Sequence, residues 1–131
     1  MLRQAIGKGL GKRVGWVQAE AGKLPLADSS FDGVVCANSF HYFRRPEAAL
    51  AEVRRVLRPG GSLVLVDWCD DYVTCKLCSW WLRWTDTAFF RTYALGECRA
   101  LLEQAGFSVV RHHRFRVGWL WGLMRFSCRR G

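Results

Sequence analysis

From residue 14 onward the chain alternates short apolar runs of strand length with longer stretches of helical period. Val14-Gly15-Trp16-Val17-Gln18-Ala19 is a β-type run that ends at Glu20. A polar connector from Gly22 to Ser30 follows. Phe31-Asp32-Gly33-Val34-Val35-Cys36-Ala37 is mostly apolar, the pattern of a strand covered on both faces. It runs into Asn38-Ser39-Phe40-His41-Tyr42-Phe43.

The next stretch predicts a helix. Pro46 suits its first position, where a missing N–H costs nothing. Ala49, Leu50, Val53, Val56 and Leu57 recur at three- and four-residue steps, and Glu47, Glu52, Arg54 and Arg55 face elsewhere. The acidic residue comes early and the arginines late, as the helix dipole prefers. Pro59-Gly60-Gly61 stops the helix, and Ser62-Leu63-Val64-Leu65-Val66 is a third strand closing on Asp67. Cys69 to Tyr93 is aromatic-rich and helical in part. A later helix turns Cys98, Leu101, Leu102 and Ala105 inward and ends at Gly106. Phe107–Val110 and Trp119–Ser127 read as two closing strands joined by a basic segment.

Strand, helix, strand in this order implies βαβ crossovers and a mostly parallel α/β sheet. Ligands of such sheets bind at the carboxyl ends of the strands, here Glu20, Asn38 and Asp67. Strand-to-loop junctions are polar in any protein, so this trio reads equally as ordinary surface.

Composition narrows the reading. With 131 residues, half of them hydrophobic, the chain predicts one domain, residues 1–131, with a real core. Lys and Arg number 20 against 11 Asp and Glu, and the formal charge of +9 raises nucleic acid or an anionic membrane as partners. Met1–Arg13 has no apolar signal-like core, and no apolar run approaches the ~18 residues of a membrane span. Reduced cysteines in a cytoplasmic protein are therefore expected. Cys75 and Cys78 form a single C-x2-C pair, short of a zinc site, and buried thiols beside Trp81 and Leu82 are the simpler reading; no metal is expected. The aromatic stretch Leu77–Phe90 would suit an apolar substrate or a partner surface, or core packing under a long connection.

Three segments carry a family resemblance. The run from Gln18 through Leu24-Pro25-Leu26-Ala27-Asp28-Ser29-Ser30-Phe31-Asp32, the run Arg45–Asp67 with its Leu57-Arg58-Pro59-Gly60-Gly61, and Leu101-Leu-Glu-Gln-Ala-Gly-Phe107 resemble, in order and spacing, class I S-adenosylmethionine-dependent methyltransferases. The likeness is to the small-molecule branch that includes quinone-biosynthesis enzymes. It implies a Rossmann-like sheet with helices on both faces and a C-terminal antiparallel hairpin. It also implies S-adenosylmethionine as cofactor and a small-molecule methyl acceptor.

Residue by residue, Glu20 matches the acidic position that holds the adenine amino group, although the family more often has Asp there. Ala21 would offer its N–H to the ring, Leu24 would pack on the adenine face, and Asn38 and Ser39 would line the methionine part. His41, Tyr42, Asp67 and Trp68 fall on the substrate side. A sulfonium methyl is already activated, so such a site chiefly aligns the reactants. His41 is the candidate general base, because an imidazole titrates near neutral pH; it reads equally as an ordinary histidine partly buried in a loop. Tyr42 suits packing more than chemistry.

The N-terminus departs from the family. Gly7-Lys8-Gly9-Leu10-Gly11 imitates the glycine-rich cofactor loop, but no strand precedes it and no helix separates it from the next run. The expectation is an N-terminally truncated, partial domain, its exposed sheet edge prone to self-association. The alternative is a non-catalytic methyltransferase-like module, or a nucleic-acid binder using Arg111, Arg114, Arg116, Arg125, Arg129 and Arg130. No recognised reader motif interleaves those arginines with aromatics, so nucleic acid is not the expected partner.

Overall fold

The computed structural model describes residues 14–71, 73–85, 90–117 and 121–131. Its elements are β1 (Phe31–Ala37), a 3-10 turn (Phe40–Tyr42), α1 (Pro46–Val56), β2 (Leu57–Trp68), α2 (Val73–Thr85), α3 (Leu95–Gln104), β3 (Phe107–Val117) and β4 (Trp121–Arg130). The sheet order is β1-β2-β4-β3. β1 and β2 are parallel and joined through α1, while β2–β4 and β4–β3 are antiparallel. Among the described residues the parallel part of this α/β sheet is thus the β1–α1–β2 unit, and the C-terminal hairpin completes it.

The core lies on one face of the sheet. β2 alternates strictly from Leu63, turning Leu63, Leu65 and Asp67 inward and leaving Val64, Val66 and Trp68 half-buried. Met124, Phe126 and Cys128 of β4 join them, and Leu50 of α1 with Cys98 and Leu102 of α3 close over the top. Gly106 ends the last turn of α3 at φ +84°, where an added Cβ would lie 2.9 Å from Arg54 Nε. Only glycine suits that left-handed stop.

Three expectations need correction. Val14–Ala19 is exposed and unpaired in any sheet of the described residues. A β-type sequence becomes a strand only where a neighbour takes its N–H and C=O groups. β1 is covered on one face, not two: Val34 and Cys36 pack against the core, and Val35 is 71% exposed. The basic segment after Val110 is strand rather than connector. From Arg111↔Ser127 to Val117↔Trp121 it stays paired with β4, after a register shift between Val109 and Arg111. The glycine-rich run Gly7–Gly11 lies outside the described residues.

Candidate functional site

The ends of the two parallel strands meet at Asp67. The period-two alternation of β2 carries this carboxylate to the core side, 1% exposed. One of its oxygens accepts the backbone N–H groups of Phe40 (2.6 Å) and His41 (3.2 Å). The other accepts the N–H of Trp68 at 2.7 Å and lies 2.6 Å from His41 Nδ1. A carboxylate only accepts, so Nδ1–H is the donor. The imidazole, 2% exposed, stacks on Trp68 at 4.7 Å and 14°, with Tyr42 at 4.0 Å on its flank. The His41 carbonyl accepts from Phe90 N and Arg91 N. The chain that follows α2 is thereby tied to the same point.

Asp67 was expected to face substrate. It does not: its oxygens are committed to the 3-10 turn and the His41 ring, and no surface is left for a ligand. It is a positioning residue. Its inward register with Leu63 and Leu65 was the available sequence signal.

A second wall lies at the turn after residue 19. Glu20 and Lys23 close it, with Lys23 N donating to the Glu20 carbonyl at 2.9 Å. Ala21 and Gly22 are half-buried, and a Cβ on Gly22 would sit 3.4 Å from Ala48 Cβ. Glu20, Ala21 and Gly22 face Tyr42–Arg45, Ala48 and Ala49 across a hollow of about 600 Å³. That volume suits a small molecule. The structure therefore gathers Glu20, Ala21 and Tyr42 in one place. Asn38 and Ser39 stand at the end of β1, outside the hollow's lining. Asn38 holds φ +48° with its N–H on the Val66 carbonyl at 2.8 Å, and Ser39 Oγ lies 3.3 Å from Cys36 Sγ. Leu24 also lies off the wall, because its backbone is claimed elsewhere.

The claimant is the polar face of α1. Glu52 accepts the Leu24 N–H at 2.7 Å. Arg55 reaches the Leu24 carbonyl (3.0 Å), the Leu26 carbonyl (2.8 Å), Asp28 (2.5 Å) and Glu52 (2.8 Å). The clasp leaves its mark on the groups: Arg55 first, then the Leu24 N–H, hold the Glu52 carboxyl down to about 2, and Glu52 and Asp28 push Arg55 up. These residues read as a solvated helix face in the sequence. A long polar side chain at an i, i+3 pair facing a loop rich in unpaired carbonyls was the only hint.

The cysteines do no chemistry that this geometry supports. All six are free thiols. Burial pushes Cys69 and Cys128 up to about 11 and Cys98 higher still, away from the reactive thiolate. Cys75 is buried and its sulfur accepts the Gly122 N–H at 3.1 Å, while Cys78 is only half-buried and Trp81 beside it is exposed. Among the described residues no group of three His, Cys, Asp or Glu is placed to hold a metal ion. Arg129 and Arg130 are partly spent on carbonyls of Gly60 and Leu57.

Comparison with known proteins agrees with this architecture. The family described as "Methyltransferase domain" matches residues 1–65. The chain belongs to the class I methyltransferases. The uncharacterized protein YafE of Escherichia coli is 36% identical over 96 residues, covering 70% of this chain and 45% of that protein. The ubiquinone/menaquinone biosynthesis C-methyltransferase UbiE of Paracoccus denitrificans is 46% identical over 55 residues, 42% of this chain and 22% of its own length. Among solved structures, the Burkholderia thailandensis 1,6-didemethyltoxoflavin-N1-methyltransferase, with bound 1,6-didemethyltoxoflavin and S-adenosylhomocysteine, has a TM-score of 0.75. It is 18% identical, with 98% of this chain and 56% of that one covered, and so speaks to the fold. The chain spans less than half the length of these curated relatives.

Proposed function

We propose that this chain forms the adenine-side wall and the acceptor-side wall of an S-adenosylmethionine-dependent methyltransferase acting on a small molecule. The observation that carries the reading is the meeting of His41 and Asp67 at 2.6 Å beside the carboxyl ends of two neighbouring parallel strands, next to a hollow edged by Glu20 and Ala21. The donor set suits the cofactor's adenine half: an exposed carboxylate at Glu20, backbone at Ala21, and a concavity of the right size. Asn38 and Ser39, at the carboxyl end of β1, are assigned to the methionine half by the family resemblance.

When bound, the cofactor offers an electrophilic sulfonium methyl. The protein's part is to hold and align the reactants. Asp67 fixes the His41 ring plane; the ring is 2% exposed and lies outside the hollow's lining, so the pair positions the turn that carries Tyr42. Trp68 stacks on the ring and Tyr42 lies tilted against it, and the Glu52–Arg55 clasp keeps the Glu20 turn against α1. We place the protein in the cytoplasm, where thiols such as Cys69, Cys98 and Cys128 stay reduced. No helix among the described residues is long and apolar enough to cross a membrane. Among the described residues β1 and β3 are the sheet's edges, and either would be a place for self-association.

Ultraviolet crosslinking of radiolabelled S-adenosylmethionine tests the reading. Label is expected in the peptide spanning Glu20–Leu24, competed by S-adenosylhomocysteine and reduced severalfold by Glu20→Ala. Label that neither competes nor responds to Glu20→Ala contradicts it.

A further inference from the structure

Helix α2 is built inside out. Its small side chains face the protein: Cys75 is buried against Gly122, and Ser79 Oγ lies 2.9 Å from Thr92 Oγ1. Most of its large apolar side chains among the described ones face away. Val73, Leu77, Trp80 and Trp84 are 73%, 64%, 66% and 80% exposed. Their i, i+4, i+7, i+11 spacing puts them in one continuous stripe, and Trp81 widens it. Buried apolar stripes hold most helices to their proteins; this one points outward, and no element among the described residues covers it.

Charge flanks the stripe on one side. Lys76 and Arg83, both exposed, share a hollow of about 430 Å³ with Trp80 and Arg91. Asp70 opens on the same hollow, and Arg91 also pairs with Glu97, so the excess is positive but modest. A helix of 13 residues is about 20 Å long, short of the ~30 Å hydrocarbon core. It suits a position in the plane of the headgroups, where tryptophan and basic residues favour the interface.

We propose that α2 docks on the surface of an anionic lipid bilayer, with Val73, Leu77, Trp80 and Trp84 entering the headgroup–acyl boundary and Lys76 and Arg83 meeting lipid phosphates. Charge chooses the occupant. A second copy would bring the same cations, on a chain of charge +9, against the same flank; an anionic surface satisfies both the stripe and its cations. This inference stands apart from the methyl-transfer reading. Further along the chain the Phe90 and Arg91 N–H groups donate to the His41 carbonyl.

Co-sedimentation of the 131-residue chain with vesicles tests the proposal. Binding is expected to phosphatidylcholine vesicles containing about one-third phosphatidylglycerol, weakened by added salt, and absent with phosphatidylcholine alone. Trp80→Ser/Trp84→Ser and, separately, Lys76→Glu/Arg83→Glu are each expected to weaken it about tenfold or more. All four side chains are exposed, and far-UV circular dichroism confirms that the helix survives. No binding by the folded chain overturns the proposal. So does an equal loss from Arg44→Glu/Arg99→Glu, which would reduce the effect to net charge. A concentration-dependent dimer that the tryptophan variants abolish, with vesicles having no effect, assigns the stripe to a second copy and overturns it as well.

Discussion

The two walls of the candidate site are held in different ways. The His41–Asp67 wall is part of the core: its carboxylate is a β2 side chain in register with Leu63 and Leu65, satisfied by N–H groups from two elements. The Glu20–Ala21 wall lies outside any strand of the described sheet and is strapped on by two α1 side chains. The same chain thus sets the His41–Asp67 pair by folding and the Glu20 turn by a surface clasp. The first should be as stable as the domain, and the second should open independently.

The sharpest way to break the comparison is Asp67→Ala. It leaves buried N–H groups and the His41 ring without their acceptor, at a cost of about 3–5 kcal/mol, read as a fall in the urea midpoint. Arg55→Ala comes next. Hydrogen exchange of residues 20–28 is expected to quicken strongly, while the midpoint and the protection of β2 change little. If the whole domain loses protection together, the strap is not a separate unit.

A smaller effect comes from acid. Glu52 is held down to about 2 from 4.5, so its clasp stabilises fully above about 4.5 and is lost as the pH falls through about 2. Exchange in residues 20–28 should quicken over that window, and Glu52→Gln should flatten the dependence. The smallest effect is Glu20→Ala, an exposed side chain that no fold contact needs. Its melting temperature should match the parent's while crosslinking falls.

The core wall was legible where local pattern and tertiary position agree. The alternation of β2, proline at the start of α1 and glycine after α3 are each fixed by backbone physics, and the structure keeps them. Asp67 was found but misread, because a polar residue at a strand end looks like a ligand contact until its burial register is taken seriously. The clasp was missed because Glu52 and Arg55 owe their role to a loop 24 to 31 residues away in sequence, and helical periodicity only says which way they do not face. Val14–Ala19 shows the converse error: strand propensity without a hydrogen-bonding neighbour is not a strand. Arg111–Val117 reads as a connector because its charges hide the period of two, yet pairing with β4 decides its conformation.

Chemical-shift mapping addresses the central claim most directly. Titrating S-adenosylhomocysteine into the uniformly 15N-labelled chain should move the amide signals of Glu20, Ala21 and Gly22, with smaller shifts at Asn38 and Tyr42 and none on α3. Shifts confined to the basic face of β3, or none at any soluble concentration, would contradict the assignment of this hollow to the cofactor.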